Sequence, residues 1–262
     1  MSRPRHLFGA WGEICRKARR AGRLALLADL DGTLAQIRPR PRQVRLSASL
    51  RARLVTIARS GAVVGVISGR DLDDVRRIVG VKGIWYAGAH GLFLQDPGNR
   101  RIALVNLSQR KRMAQIKRAL AKELRGLPGI WMEDKRATLA VHYRGAARGP
   151  VARASARIRR ALDEFPGVHL LAGKKVWELL PASGIDKAAA VRLILRRERL
   201  RRPHARCLVF YLGDDTTDER VFEKLRGISV LIGRRRRTAA RYFLRSPEEV
   251  ARFLNRWSEL ER

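Results

Sequence analysis

The chain has 262 residues, 45% of them hydrophobic, with 57 Lys and Arg against 24 Asp and Glu and a formal net charge of +33. That length makes one large domain or two modest ones, and the apolar content suffices for a packed core. No apolar stretch approaches the ~20 residues of a membrane-crossing helix, residues 1–20 lack the apolar centre of a secretory signal, and two cysteines, Cys15 and Cys207, make no disulfide framework.

A cytoplasmic protein with no membrane attachment follows as the expectation. Residues 1–20, rich in Arg, read as an amphipathic first helix or a loose tail, with a transit peptide as the other option. A charge of +33 can hold nucleic acid or anionic membrane without specificity. No Cys/His finger, aromatic-studded sheet motif or heptad array accompanies it, so the reading is solvated Arg-rich faces and no specific nucleic acid. Attraction of an acidic partner or an anionic substrate is the remaining use for the charge.

In chain order, residues 24–30 read as a buried strand ending at Asp29. A loop punctuated by Pro39 and Pro41 follows. Residues 47–60 have helical spacing, with Ser47 as N-cap and Gly61 as the stop. Residues 62–67 form a second buried strand that ends in Ser68-Gly69-Arg70, and a helix over 71–79 follows. A third strand over 84–89 leads into His90-Gly91. Strand and helix alternating in this way argue a parallel sheet covered on both faces. The rhythm then changes to a hairpin over 92–104, a helix over 108–125, strands over 129–133 and 137–143, a helix over 150–165, and strands over 168–172 and 175–180. The order helix-strand-strand-helix-strand-strand is an α+β module with an antiparallel sheet. After Pro181 the first pattern resumes: helix 185–197, strand 207–212, helix 216–225, strand 228–232, final helix 247–260. Cys207, in an apolar strand, reads as a small core residue. The expected architecture is a Rossmann-like α/β core, residues 1–103 and 182–262, with the module at 104–181 inserted as a cap.

Two acidic stretches stand out in this basic chain: Asp29-Leu30-Asp31-Gly32-Thr33 and Gly213-Asp214-Asp215-Thr216-Thr217-Asp218. Both follow apolar strands, and ligands of open α/β sheets bind beyond the carboxyl ends of strands. Crowded carboxylates repel one another unless a cation neutralises them, and a hard cation prefers such oxygen ligands. A carboxylate can attack phosphorus, a second can move the proton, and a buried ammonium such as that of Lys187 can offset the charge. Each motif alone is weak. DxDGT, then Ser-Gly-Arg, then Lys, then GDDxxD, each in place within an alternating fold, is specific.

This set resembles the haloacid dehalogenase-like phosphatases. Past residue 20 the chain further resembles the trehalose-6-phosphate phosphatases. The added signals are 87–91 (AGAHG), 133–135 (EDK), 140–144 (AVHYR), 173–181 (GKKVWELLP), 213–222 (GDDTTDERVF) and 246–250 (SPEEV). The resemblance implies Asp29 as nucleophile and Asp31 as general acid/base. It implies Mg²⁺ held by the Asp29 carboxylate, the Asp31 main-chain carbonyl and Asp214, with Asp215 and Asp218 orienting metal-bound water or holding the loop. Ser68 and Lys187 would bind the phosphoryl group, and Gly69, Arg70, His90 and Gly91 would line the substrate. Glu133, Lys135, Arg144 and Glu178 would bind sugar hydroxyls from the cap; without the resemblance they read equally as a surface ion pair.

Three positions depart from the family pattern: Gln36 where Pro is frequent, Phe93 where an acid commonly follows the HG turn, and Ala188 where Gly is usual. Phe93 removes a polar contact and bears on the choice of sugar. The implied activity is hydrolysis of trehalose 6-phosphate by a monomer. The alternatives are the same chemistry on a sucrose-phosphate or mannosyl-phosphoglycerate type of sugar phosphate, and a polybasic nucleic-acid binder on a phosphatase fold.

Overall fold

The computed structural model describes residues 3–38, 41–173, 175–201, 206–234 and 237–261. Pro39 and Lys174 lie outside these. The chain divides into two compact units, Met1–Ile102 with Asp186–Arg262, and Ala103–Ile185.

The first unit opens with a two-residue strand, β1 (Arg5–His6), and helix α1 (Trp11–Arg19). The helix is amphipathic: Trp11, Ile14, Cys15 and Ala18 are buried while Arg16, Lys17 and Arg19 face out. Strand β2 (Arg23–Ala28) follows, then α2 (Ala48–Arg59), β3 (Val63–Ile67), α3 (Leu72–Val79) and β4 (Trp85–Gly88). Ser47 caps α2, its hydroxyl accepting from the Leu50 amide at 3.2 Å. Asp71 caps α3 by accepting from the Asp73 amide at 2.9 Å. The hairpin of β5 (Phe93–Gln95) and β6 (Arg101–Ala103) ends this stretch. It turns through Asn99, whose positive φ of 68° suits Asn.

The second unit runs α4 (Leu107–Glu123), β7 (Trp131–Asp134), β8 (Leu139–His142), α5 (Arg148–Glu164), β9 (Val168–Gly173) and β10 (Val176–Pro181). Asn106 and Gln109 form a capping box at the start of α4. The sheet order is β7-β8-β10-β9, all antiparallel. Met113, Ile116 and Leu120 of α4 and Ala154 and Ile158 of α5 pack on Leu139, Val141 and Leu179. Alternation along the strands therefore places Glu133, Ala140, His142 and Glu178 on the other face.

The first unit resumes with α6 (Lys187–Arg201), β11 (Cys207–Gly213), α7 (Thr216–Lys224), β12 (Ile228–Ile232), β13 (Tyr242–Leu244) and α8 (Pro247–Asn255). Its nine-stranded sheet has the order β1-β13-β12-β11-β2-β3-β4-β5-β6. Neighbours from β1 to β4 are parallel, and β5 runs antiparallel to β4. Strands β3 and β12 are buried along their whole length, as β2 is past Arg23, which is why they read as unbroken apolar runs. Phe210, Phe253 and Trp257 form a fully buried aromatic group with centroids 5.2–5.7 Å apart. Each such side chain contributes about 2–3 kcal/mol by burial. Cys207 corrects the expectation of a core thiol: it is the first residue of β11 and is exposed, whereas Cys15 is buried. Among the described residues no helix is long and apolar enough to cross a membrane.

Candidate active site

Strand β2 lies between β11 and β3, and its register sets Ala28 beside Leu212. The next residue of each chain segment therefore leaves the sheet at the same edge. The Asp29 amide donates to the Leu212 carbonyl at 2.9 Å, so Asp29 and Asp214, far apart in sequence, become neighbours. One carboxylate oxygen from each of Asp29, Asp214 and Asp218 lies within 4.8 Å of the others.

Lys187, the first residue of α6, answers part of this charge. Its ammonium donates to Asp29 Oδ1 at 2.7 Å and to Asp218 Oδ1 at 2.9 Å, with all three side chains almost fully buried. Burial lowers the affinity of Lys187 for its proton, but the Asp218 and Asp29 carboxylates more than reverse that and hold it well above the ordinary lysine range. Burial pushes the Asp29 carboxyl well up; Lys187 opposes the shift, and Asp218, Asp214 and Asp31 add to it. Three carboxylates gathered at one point form an all-oxygen donor set, which fits a hard divalent cation.

Asp218 holds the loop. Its Oδ2 accepts from the amides of Asp214 and Asp215 at 3.1 and 3.0 Å, and its Oδ1 accepts from the Tyr211 hydroxyl at 2.7 Å. A β-carbon on Gly213 would sit 2.3 Å from the Asp218 carboxyl carbon, so only glycine permits this closure. Asp215 caps α7, accepting from the Thr216 amide at 2.8 Å in a capping box with Asp218. Gly32 has φ +83°, and a β-carbon there would meet the Asp214 carboxylate at 2.4 Å.

Asp31 points elsewhere. The Arg70 guanidinium grips it with two parallel bonds, Nε to Oδ2 at 2.6 Å and a terminal nitrogen to Oδ1 at 2.7 Å. Ser68 is 2% exposed, and its hydroxyl accepts from the Arg70 amide at 3.2 Å. The Ala89-His90-Gly91 turn has three successive positive φ values, 49°, 57° and 102°. Its backbone is tied down by bonds from the Ala89 amide to Arg70 O at 2.6 Å and from the His90 amide to Ser68 O at 3.0 Å. Gly91 abuts the Ala190 side chain and the Asp186 carbonyl at the start of α6. A β-carbon on Gly69 would sit 2.7 Å from the His90 ring. Asp29, Asp31, Ser68, Gly69, Arg70, His90, Gly91, Lys187, Asp214, Asp215 and Asp218 all belong to the first unit.

In the second unit Lys135 forms a buried ion pair with Glu178. Glu133 Oε2 and His142 Nε2 are hydrogen-bonded at 2.8 Å. Arg144 is exposed in the turn after β8. Two contributors escaped the sequence reading. Tyr211 is buried, and burial first, then Asp218 and Asp29, keep its phenol neutral far above its usual range. Its signal was its place two residues before Gly213, at the polar end of an apolar strand. His142 was visible only as part of the AVHYR stretch.

The fold is that of a haloacid dehalogenase-like hydrolase from Bacteroides thetaiotaomicron, which superposes with TM-score 0.63 at 16% identity over 90% of this chain and 99% of that one. It matches the trehalose-6-phosphate phosphatase C-terminal domain of C. albicans with TM-score 0.78 at 22% identity over 99% of both chains. The trehalose-phosphatase family model matches residues 27–248. A trehalose-phosphate phosphatase of Mycobacterium avium is 38% identical over 250 residues, covering 91% of this chain and 63% of that relative. The fold is thus the one shared with haloacid dehalogenase-like hydrolases. This chain belongs to the trehalose-phosphatase family. The chain spans less than two thirds of the length of curated relatives it matches, 61–63% for four mycobacterial trehalose-phosphate phosphatases.

Proposed function

We propose that the chain hydrolyses the phosphomonoester of trehalose 6-phosphate to trehalose and inorganic phosphate with Mg²⁺ bound. The observation that carries this reading is the buried Asp29–Lys187–Asp218 chain of contacts, with Asp214 alongside, at the carboxyl edge of a parallel sheet. Family membership supports the substrate.

Asp29 attacks phosphorus, and the bond from phosphorus to the sugar oxygen breaks. The departing oxygen takes a proton from the Asp31 carboxyl. Asp31, now a carboxylate, takes a proton from water as that water attacks the aspartyl-phosphate, and Asp29 is released. The Asp29 and Asp214 carboxylates and the Asp31 main-chain carbonyl would hold the metal. Bound there, the cation would offset charge on the phosphoryl oxygens. Lys187 offsets charge from the other side, Ser68 donates to a phosphoryl oxygen, and Asp218 keeps the loop closed while Asp215 caps α7. Arg70, which holds both Asp31 oxygens in this structure, releases at least one of them for the proton to be carried. Gly69, His90 and Gly91 shape the surroundings of the phosphate.

In the second unit Glu133, Lys135, Arg144 and Glu178 take the sugar hydroxyls, carboxylates accepting and cations donating. Its inserted position, 103–185, supports the reading that this unit selects the sugar. On this reading the protein acts as a monomer. A cytoplasmic setting accords with two free thiols, one of them exposed.

The test is phosphate release from trehalose 6-phosphate, sucrose-phosphate and mannosyl-phosphoglycerate, with Mg²⁺ and with chelator. Mg²⁺-dependent release, fastest from trehalose 6-phosphate, is expected. Faster turnover of another sugar phosphate would replace the substrate, and release unaffected by chelator would remove the metal.

A further inference from the structure

Trp131 stands out among the exposed apolar side chains of the second unit. At 49% exposure it is the one aromatic among the large exposed hydrophobic residues of the described chain. Its indole is nonetheless fixed. The His142 imidazole stacks on it with centroids 3.8 Å apart and planes 12° from parallel. His142 is in turn held by Glu133, Nε2 to Oε2 at 2.8 Å. Register explains the arrangement: Trp131 pairs with His142 and Glu133 with Ala140 across β7 and β8, and Ala140 also pairs with Glu178 of β10. Trp131, Glu133, His142 and Glu178 thus share the sheet face away from α4 and α5, with Lys135 joined to Glu178. One indole face is covered by imidazole and half of the residue is open to solvent.

A single exposed apolar residue on a surface needs no explanation. A tryptophan backed by a ring that a carboxylate orients is different, because its position is settled before any ligand arrives. Two residues along a strand step about 6.6 Å, roughly the width of one hexose ring. A pyranose carries hydroxyls around its rim and C–H bonds on its faces. Carboxylates suit the rim, and a rigid, amphipathic indole with two torsions suits the face.

We propose that Trp131 is a specificity-determining stacking platform: its open indole face takes the C–H face of a sugar ring whose hydroxyls bond to the Glu133, Lys135 and Glu178 group. This rests on the reading that the substrate is a sugar phosphate. Such a contact acts alike on bound substrate and transition state, so its loss raises KM and spares kcat.

The experiment compares wild type, Trp131→Ala and Trp131→Phe on trehalose 6-phosphate and on methyl phosphate, which has no ring to stack. Trp131→Ala should raise KM for trehalose 6-phosphate about three- to tenfold with kcat within about twofold, from the usual strength of an aromatic contact. Trp131→Phe should recover most of the loss, and methyl phosphate should show no change. An unchanged KM in Trp131→Ala overturns the platform while leaving the substrate intact. Equal losses on both substrates also overturn it and make the tryptophan structural. A wild-type protein that does not turn over trehalose 6-phosphate sinks the functional reading instead. A trehalose titration of tryptophan emission then decides the platform: a response in wild type that Trp131→Phe loses supports it, and no response overturns it.

Discussion

Lys187→Met keeps the length of the side chain and removes its ammonium, so it isolates the electrostatic balance of the site. The ammonium lies 2.7 Å from Asp29 and 2.9 Å from Asp218, with side-chain exposures of 3%, 6% and 0%. At an effective dielectric constant of about 20 each contact is worth about 6 kcal/mol before desolvation. Burying three ions offsets much of that, and removing one partner of a buried pair costs about 3–5 kcal/mol. At roughly 2–4 °C per kcal/mol for a protein of this size, the melting temperature in chelator should fall by about 6–20 °C. Saturating Mg²⁺ should shrink the gap, because a ligand bound only by the folded state stabilises it and the variant's cluster has lost the ammonium that competes with the cation for Asp29 and Asp218. The sign with pH is also set. Lys187 is raised in the folded state, so its contribution is complete below the unfolded value of about 10.4 and is lost only as pH climbs towards the folded one. The wild-type advantage from this group should therefore persist through neutral pH and fade only in strongly alkaline solution. Thermal melts of both proteins, with chelator and with Mg²⁺, give the answer. A shift below about 2 °C in chelator, or a gap indifferent to the cation, would refute this account of the charge balance.

Asp29→Asn should bring phosphate release to background while the melting curve stays cooperative, since an amide cannot form the acyl-phosphate; turnover within about tenfold of wild type would take Asp29 out of the chemistry. Asp214→Asn should raise the Mg²⁺ concentration for half-maximal activity by roughly tenfold or more, on the scale seen for weakened metal sites, and an unchanged titration would place the metal elsewhere. Lys135→Ala and Glu178→Ala should each lower kcat/KM for trehalose 6-phosphate by about ten- to several-hundredfold, because each leaves its buried partner unpaired. Both should lose little on para-nitrophenyl phosphate, and equal losses on the two substrates would make the pair a strut within the sheet.

The long elements were legible because their apolar runs are bounded by capping residues and glycines. Ser47 and Gly61 mark helix ends that the structure places at or within a residue of them. Strands β1 and β13 were not legible, since two and three residues (Arg5–His6, Tyr242–Leu244) are too few to display alternation. Helix α6 begins two residues later than its spacing suggested because Asp186 caps it, accepting from the Ala189 amide at 2.7 Å. Cys207 was misread for a related reason. It opens an apolar run and pairs with Arg23 at the start of β2, but burial along β11 is complete only from Val209 onwards.

The acids of the site were legible because they are costly. A carboxylate after a buried strand must find compensation, and several such carboxylates restrict what the compensation can be. Their partners were less so, because partner choice is a property of the sheet. Arg70 reaches Asp31 across 39 residues of sequence only because β2 and β3 are parallel neighbours, and Glu133 meets His142 only through the β7–β8 pairing. The same distinction separates the two scales of charge in this protein. On the proposed reading a formal charge of +33 would draw phosphate esters from a distance, whereas Asp29, Asp214 and Asp218 set clustered carboxylates where the phosphate arrives. On the proposed reading, attraction at long range and repulsion at Asp29 are reconciled when those carboxylates also hold a divalent cation. The net charge therefore bears on encounter, the acid cluster on chemistry, and salt and chelator should act on them separately: added salt through KM, chelator through kcat.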